Sequence, residues 1–321
     1  MEMPRGIADK ATMTTLPIHS AIPGLLDAGR TRGRAVLQAP PGAGKTTVVP
    51  LEMWRAGLTD SRILMLEPRR LAARAAAERM AQTLGERAGE TVGYRVRGEA
   101  KISGATRIEV VTEGILTRMI QSDPGLDGIG AVIFDEFHER SLNADLGLAL
   151  CLEIAGALRD DLILLAMSAT LDAGPVADLM GAPVLTSQGR NFAVDMRYLE
   201  RPLRKQDRFE TALAGLVAQA VDETEGGVLV FLPGEGEIRR VEALLKDRLP
   251  SACALRPLFG AMPFDAQRAA IAPCAQGRKV VLATSIAETS LTIEDIRVVV
   301  DGGRARRARF DPGSGMSRLV T

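Results

Sequence analysis

Apolar residues in this chain fall into short unbroken runs, separated by longer stretches in which they recur every three or four positions. Arg34–Leu37, Ile63–Leu66, Ala131–Phe134, Leu162–Met167, Val228–Leu232 and Lys279–Ala283 are the clearest runs. Such a run bounded by turn residues predicts a strand buried on both faces, as in a parallel sheet. Helical spacing marks residues 22–28, 48–54, 70–84, 115–121, 209–221 and 235–249. Less apolar stretches at 91–96, 106–111, 254–258 and 297–300 predict further strands, and Phe192–Leu199 predicts a strand opening a second set. Residues 306–310 and 316–320, around the turn Asp311-Pro312-Gly313-Ser314-Gly315, predict a hairpin. Strand and helix alternate throughout, so the expected class is α/β with mainly parallel sheets. The expected division is an irregular start at 1–15, a first domain at 16–188 and a second at 189–321.

Composition narrows the picture without naming a chemistry. A chain of 321 residues with 46% hydrophobic and 25% charged residues has room for two cores of ordinary globular type. Aromatics make up 3%, so stacking of bases on aromatic rings is not expected to dominate any nucleic-acid contact. Forty basic and forty acidic residues cancel, which leaves local placement of arginine as the only source of an anion-binding surface. Cys151, Cys253 and Cys274 lie far apart without metal-ligand spacing and are expected as reduced structural thiols. No apolar stretch has the length of a membrane span, and the first fifteen residues carry no apolar core of a secretion signal. A cytoplasmic protein is the expectation.

The chemistry clusters where strands end. After Arg34–Leu37 come Gln38-Ala39-Pro40-Pro41-Gly42-Ala43-Gly44-Lys45-Thr46-Thr47 and then a helix. Strand, glycine-rich loop and helix are the setting of a phosphate-binding loop: backbone N–H groups turn inward and the helix directs its positive end at the anion. Lys45 is placed for the β- and γ-phosphates, and the Thr46 hydroxyl for Mg²⁺. Ala39 replaces the first glycine of the usual pattern, and a residue this small still permits the turn. Asp135 and Glu136 follow the strand 131–134 at once. One carboxylate there can hold Mg²⁺ and the next can polarise a water in line with the γ-phosphate. Thr46, Asp135 and Glu136 are thus the candidate metal set. His138 is one of two histidines in the chain: alone it reads as structural, beside the carboxylates as a coupling candidate. Arg69 and Arg70 sit at the end of the strand 63–66, where open α/β sheets bind ligands; they suit a phosphate chain or a solvated helix start. Ser168-Ala169-Thr170 ends the strand 162–167, as helix-capping residues or as a relay. Two α/β sets, one with a phosphate loop, suggest a composite site between them.

In chain order, Gly42-Ala43-Gly44-Lys45-Thr46, Glu67-Pro68-Arg69-Arg70, Thr112-Glu113-Gly114, Asp135-Glu136-Phe137-His138, Ser168-Ala169-Thr170, Phe231-Leu232-Pro233-Gly234 and Ala283–Ile293 resemble motifs I, Ia, Ib, II, III, IV and V of the DEAH-box superfamily 2 helicases. The loop and the Asp-Glu-Phe-His box are most similar to the bacterial HrpB-like branch. The resemblance covers about residues 16–321. It implies two RecA-like domains of the P-loop NTPase fold that bind ATP or another NTP with Mg²⁺ and grip single-stranded RNA. By the same resemblance Gly42, Ala43, Gly44, Lys45, Thr46 and Thr47 bind the nucleotide, and Arg79 packs on its base. Asp135 is the metal ligand and Glu136 the water activator. Ser168 and Thr170 link hydrolysis to domain movement, while Arg69, Arg70, Thr112 and Thr284 hold the RNA backbone.

Departures from the family pattern qualify this. Phe137 stands where the family name has alanine, and Ser285 where many members have asparagine. The sixth motif, Gln-Arg-x-Gly-Arg-x-Gly-Arg, belongs after the hairpin and the sequence stops before it. An arginine finger is worth about 10³–10⁵ in rate, so reduced turnover is expected of this chain. Arg304, Arg306, Arg307 and Arg309 are expected on the hairpin, solvated or facing RNA. A nucleotide-dependent RNA-binding module without turnover and a DNA-directed helicase are the alternatives; a small-molecule kinase fits poorly with paired Asp135 and Glu136. Ile271 stands where eukaryotic relatives carry a base-stacking phenylalanine. Weak discrimination among nucleoside triphosphates is therefore predicted: in a competition assay GTP, CTP and UTP should displace a labelled ATP analogue at similar concentrations, and strong preference for ATP would contradict this.

Overall fold

The computed structural model describes residues 16–170, 173–189, 193–204, 207–288 and 293–321. The chain divides into two compact units, Met1–Ala193 and Val194–Thr321. In the first unit, α1 (Ile22–Arg32) leads into β1 (Arg34–Gln38), α2 (Lys45–Arg55), β2 (Arg62–Glu67) and α3 (Arg70–Thr83). Then come β3 (Val92–Val96), β4 (Glu99–Lys101), β5 (Ile108–Thr112), α4 (Glu113–Ser122) and β6 (Ile129–Phe134). A single 3-10 turn (Phe137–Glu139) precedes α5 (Leu142–Ala157), β7 (Ile163–Ser168), α6 (Gly174–Met180) and β8 (Val184–Thr186). Among the described residues these strands form one sheet in the order β4-β3-β5-β2-β6-β7-β1-β8, parallel except for β4.

Burial explains why the apolar runs pair this way. Every residue of β6 and β7 is buried, as a strand covered by helices on both faces requires. One core packs α1, α2 and α3 on the first face, and a second packs α4, α5 and α6 on the other. α5 is apolar on nearly all sides and so carries no helical stripe in sequence, which hides it from periodicity. Cys151 lies in that core, where burial pushes its thiol up to about 12 and keeps it protonated. At the amino-terminal end of the sheet, buried Glu109 joins Arg62 at 2.7 Å and Arg95 at 2.8 Å. That cluster lies towards the opposite end of β5 from Thr112.

In the second unit, α7 (Phe209–Glu223), β9 (Gly227–Phe231), α8 (Glu235–Leu245), β10 (Cys253–Leu258), α9 (Phe264–Ile271), β11 (Arg278–Ala283) and β12 (Ile296–Asp301) follow in order. Their parallel sheet has the order β10-β11-β9-β12. The chain closes with an antiparallel hairpin of β13 (Arg307–Asp311) and β14 (Met316–Val320). Buried Lys279 donates to the carbonyls of Ile271 and Ala272 at 3.2 and 2.9 Å, closing the end of α9.

Some expectations need correction. Phe192 lies outside the described residues, and 193–199 form no strand. Val194, Met196 and Tyr198 alternate as a strand would but are 81%, 71% and 84% exposed. Alternation makes a strand only where another backbone supplies hydrogen bonds, and none does so here among the described residues. α8 ends at Leu245 rather than 249. Arg304 and Arg306 precede the hairpin, and both have protein partners. The Arg304 guanidinium lies 4.3 Å from the Phe209 ring centroid, and Arg306 pairs with Glu237 at 3.2 Å.

Gly93 shows how tightly the sheet margin is built. A Cβ there would fall 2.4 Å from the Lys101 carbonyl oxygen, a backbone atom that cannot swing away. Gly93→Ala should therefore cost about 1–3 kcal/mol of overpacking, read as a lower denaturation midpoint in urea; an unchanged midpoint would show that β3 and β4 can separate freely.

Candidate active site

The parallel register sets the site. Gln38 of β1 is level with Ser168 of β7, Ala166 of β7 with Phe134 of β6, Phe134 with Leu66 of β2, and Glu67 with Thr112 of β5. The carboxyl ends of five strands thus form one row, and every motif from the first unit emerges from it.

The glycine-rich loop leaves β1 and turns on Gly42 and Gly44, with φ of 77° and 95°. Gly44 has two reasons to be glycine: a side chain would be strained at that φ, and its Cβ would lie 2.8 Å from Leu16 Cδ1. Ala39 is fully buried, lies outside the left-handed region and donates its N–H to the Ser168 carbonyl at 3.0 Å. Alanine therefore fits where the usual pattern has glycine. Lys45 and Thr46 open α2, with Thr47 half-buried behind them.

From the end of β6 the two carboxylates reach these residues. Thr46 Oγ1 donates to Asp135 Oδ2 at 2.5 Å, and Lys45 Nζ to Glu136 Oε1 at 2.8 Å. Lys45 and Asp135 are both 5% exposed, so each charge meets its partner with little water between. Glu136 holds φ 50° and ψ 34°, a left-handed conformation that a non-glycine residue adopts at a cost of about 1–3 kcal/mol. Burial, then the charge of Asp135, raise its pKa above the ordinary carboxyl range, and Lys45 and His138 oppose the rise. An aspartate and a threonine hydroxyl offer hard oxygen donors of the kind Mg²⁺ takes when phosphates and waters complete its shell. The donor set fits the ion.

His138 links two motifs. Its Nδ1 accepts from the Ala169 N–H at 3.3 Å and also lies 3.3 Å from Glu136 Oε2. The first contact needs a lone pair on Nδ1 and the second needs a proton, so the ring satisfies one at a time. Ser168 Oγ accepts from the Thr170 N–H at 3.2 Å, making a local turn.

The remaining candidates scatter more widely. Arg69 and Arg70 begin α3 beside the row, Arg69 half-buried and Arg70 exposed; Thr112 ends β5. Arg79 is exposed on α3. Thr284 follows β11 in the second unit, and residues 289–292 of its motif lie outside the described residues. Two neighbours escaped sequence reasoning. Glu67 ends β2 and is 1% exposed, and Glu139 forms an ion pair with Arg69 at 3.6 Å. An acidic residue ending an otherwise apolar strand was the available signal for Glu67; nothing in the sequence pairs Glu139 with Arg69.

A family model described as DEAD/DEAH box helicase matches residues 18–179. The chain is 52% identical over 311 residues to the ATP-dependent RNA helicase HrpB of Escherichia coli strain K12, a match covering 96% of this chain and 38% of that protein. A crystal structure of the Escherichia coli DEAH/RHA helicase HrpB superposes with a TM-score of 0.88, covering 95% of this chain and 39% of that one. A second, of the E. coli DExH-box NTPase HrpB, gives 0.80 over 97% of this chain and 38% of that one. Both are 52% identical in sequence. The chain thus spans about 38% of the length of the curated relative.

Glu67 adds a pH dependence. Both its oxygens are shut off from solvent without a well-formed hydrogen bond. Burial, and after it the neighbouring Asp135 carboxylate, hold its pKa well above the unfolded value near 4.5. The folded chain therefore keeps a proton that the unfolded chain releases. Stability from this group is complete below the unfolded pKa and is lost as pH rises towards the folded one, at about 1.4 kcal/mol per pH unit. Glu67→Gln carries no such proton. Its unfolding free energy should exceed the parent's at pH 7 and converge with it near pH 4, as measured by urea denaturation; curves that stay parallel would contradict a neutral Glu67.

Proposed function

The chain belongs to the DEAD/DEAH box helicase family, and from that footing we propose that it is a nucleotide-hydrolysing core of an HrpB-like RNA helicase, acting on single-stranded RNA. The observation that carries the reading is the meeting of Lys45 with Glu136 and of Thr46 with Asp135 at one sheet edge. A phosphate loop needs a cation for the β- and γ-phosphates, a hydroxyl and a carboxylate for Mg²⁺, and a second carboxylate for the attacking water. Mg²⁺, held by Thr46 and Asp135 with the phosphates, would neutralise charge on the transferring group. Backbone N–H groups from Gly42 to Thr47 would cradle the phosphates, and Lys45 would exchange its hold on Glu136 for the γ-phosphate. Glu136, its pKa raised by burial, is suited to accept a proton from water near neutral pH.

Supporting contacts extend the reading. Arg79 is proposed to pack on the base, and Arg69, Arg70, Thr112 and Thr284 to hold the phosphate backbone of RNA. Ser168 and Thr170 flank Ala169, whose N–H reaches the His138 nitrogen that lies beside Glu136, and are proposed to pass the state of the nucleotide to the rest of the motor. In the complete enzyme that signal would become translocation along the strand. The proposal includes a cytoplasmic setting; among the described residues no helix is long and apolar enough to cross a membrane.

Steady-state ATP hydrolysis with and without single-stranded RNA, beside direct nucleotide titration, tests the reading. Glu136→Gln should bind Mg²⁺–ATP as the parent does while turnover falls by about 10²–10⁴. Lys45→Ala should lose nucleotide binding. Parental turnover in Glu136→Gln would remove it from the reaction, and nucleotide binding without turnover in the parent would make this chain a binding module.

A further inference from the structure

The 3-10 turn Phe137–Glu139 carries His138 and directly follows Glu136, and it is gripped by charge from two sides. Left-handed residues bracket it, Glu136 at φ 50° and Arg140 at φ 51°. Arg140 reaches forward to Asp145 with a bidentate contact of 3.0 and 3.1 Å, its guanidinium 5.7 Å from the Phe137 ring centroid. On the other side Arg69 Nη2 lies 3.6 Å from Glu139 Oε2, with side chains 24% and 20% exposed. Behind Glu139 stands Glu113, the first residue of α4, which accepts a hydrogen bond from the Ser141 hydroxyl. Burial raises the Glu113 pKa, and the nearby charges of Glu139 and Asp145 add to the rise. Three acidic side chains thus share this corner, and Arg69 and Arg140 supply the compensating charge. The turn also borders a cavity of about 120 Å³ lined by Phe137, His138, Arg140, Ser168 and Thr170.

We propose that the Arg69–Glu139 ion pair is the contact through which an RNA phosphate at the carboxyl end of β2 acts on the turn that bears His138 and follows Glu136. The inference rests on the reading of Arg69 as a phosphate contact. A phosphate takes guanidinium N–H groups in a charge-assisted, bidentate geometry that competes with a partner 3.6 Å away. Withdrawing Arg69 leaves Glu139 facing Glu113 and Asp145 with less compensating charge. The turn then moves towards the cavity, and His138 with it changes its balance between Glu136 and Ala169. Both ends of this route lie in one compact unit. The coupling is reciprocal: whatever RNA does to nucleotide affinity, nucleotide does to RNA affinity by the same factor.

Glu139→Gln, which keeps the shape and removes the charge, tests this together with Arg69→Gln. Affinity for a fluorescent, non-hydrolysable ATP analogue with Mg²⁺ is measured with and without a single-stranded RNA oligonucleotide, and RNA affinity with and without the analogue. In Glu139→Gln, RNA should bind about two- to fivefold more tightly, the scale of one partly exposed ion pair. The coupling factor between RNA and nucleotide should fall towards one. Arg69→Gln should weaken RNA binding and lose the same coupling. If Glu139→Gln keeps the parental RNA affinity and coupling while both ligands bind, the inference fails and the site reading stands. A lower melting temperature with unchanged coupling would make the ion pair structural only and also overturn it. A parent chain that binds neither ligand overturns the site reading and this inference together.

Discussion

The parallel register of β5, β2, β6, β7 and β1 is the constraint on which the site depends. Each strand is too buried to slip, because a shift by one residue would turn apolar side chains of both cores away from their helices. With register fixed, the strand ends Thr112, Glu67, Phe134, Ser168 and Gln38 fall along one sheet edge, Glu67 and Thr112 level with each other and Ser168 level with Gln38. The residues that follow them then have no choice about their neighbours. Lys45 meets Glu136 and Thr46 meets Asp135 because two loops leave adjacent regions of one sheet edge.

Stored cost concentrates at this edge. Glu136 and Arg140 hold left-handed backbones, Glu67 is buried without a well-formed hydrogen bond, and Lys45 and Asp135 are charges with little access to water. The amino-terminal end of the same sheet looks different. There Glu109 is buried between two arginines, hydrogen-bonded by Arg62 and ion-paired with Arg95. The contrast is what a rigid scaffold with one reactive edge should show: strain persists where the surrounding cores over-determine the geometry.

The second unit repeats the principle with fewer strands. Its parallel sheet places Thr284 just past the carboxyl end of β11, as the first places Asp135 just past β6. Its two arginines before the hairpin, Arg304 and Arg306, are committed to Phe209 and Glu237, while Arg307 and Arg309 on β13 stay exposed.

The sequence alone determined the strands and the chemistry of their ends. Unbroken apolar runs such as 131–134 and 163–167 can be stable only when covered on both faces, and Gly42, Gly44 and Lys45 carry their phosphate-loop signature locally. Local patterns failed where a partner had to be supplied. α5 has no stripe because it is apolar on nearly all sides, and residues 193–199 alternate like a strand yet find no second backbone among the described residues. The tertiary structure alone decided the pairings across the row: Glu67 against Asp135, Arg69 with Glu139, and His138 between Glu136 and Ala169. Glu139 lies seventy positions from Arg69, and no periodicity reaches that far. Only the register of neighbouring strands brings such residues within the few ångströms over which charges and hydrogen bonds act.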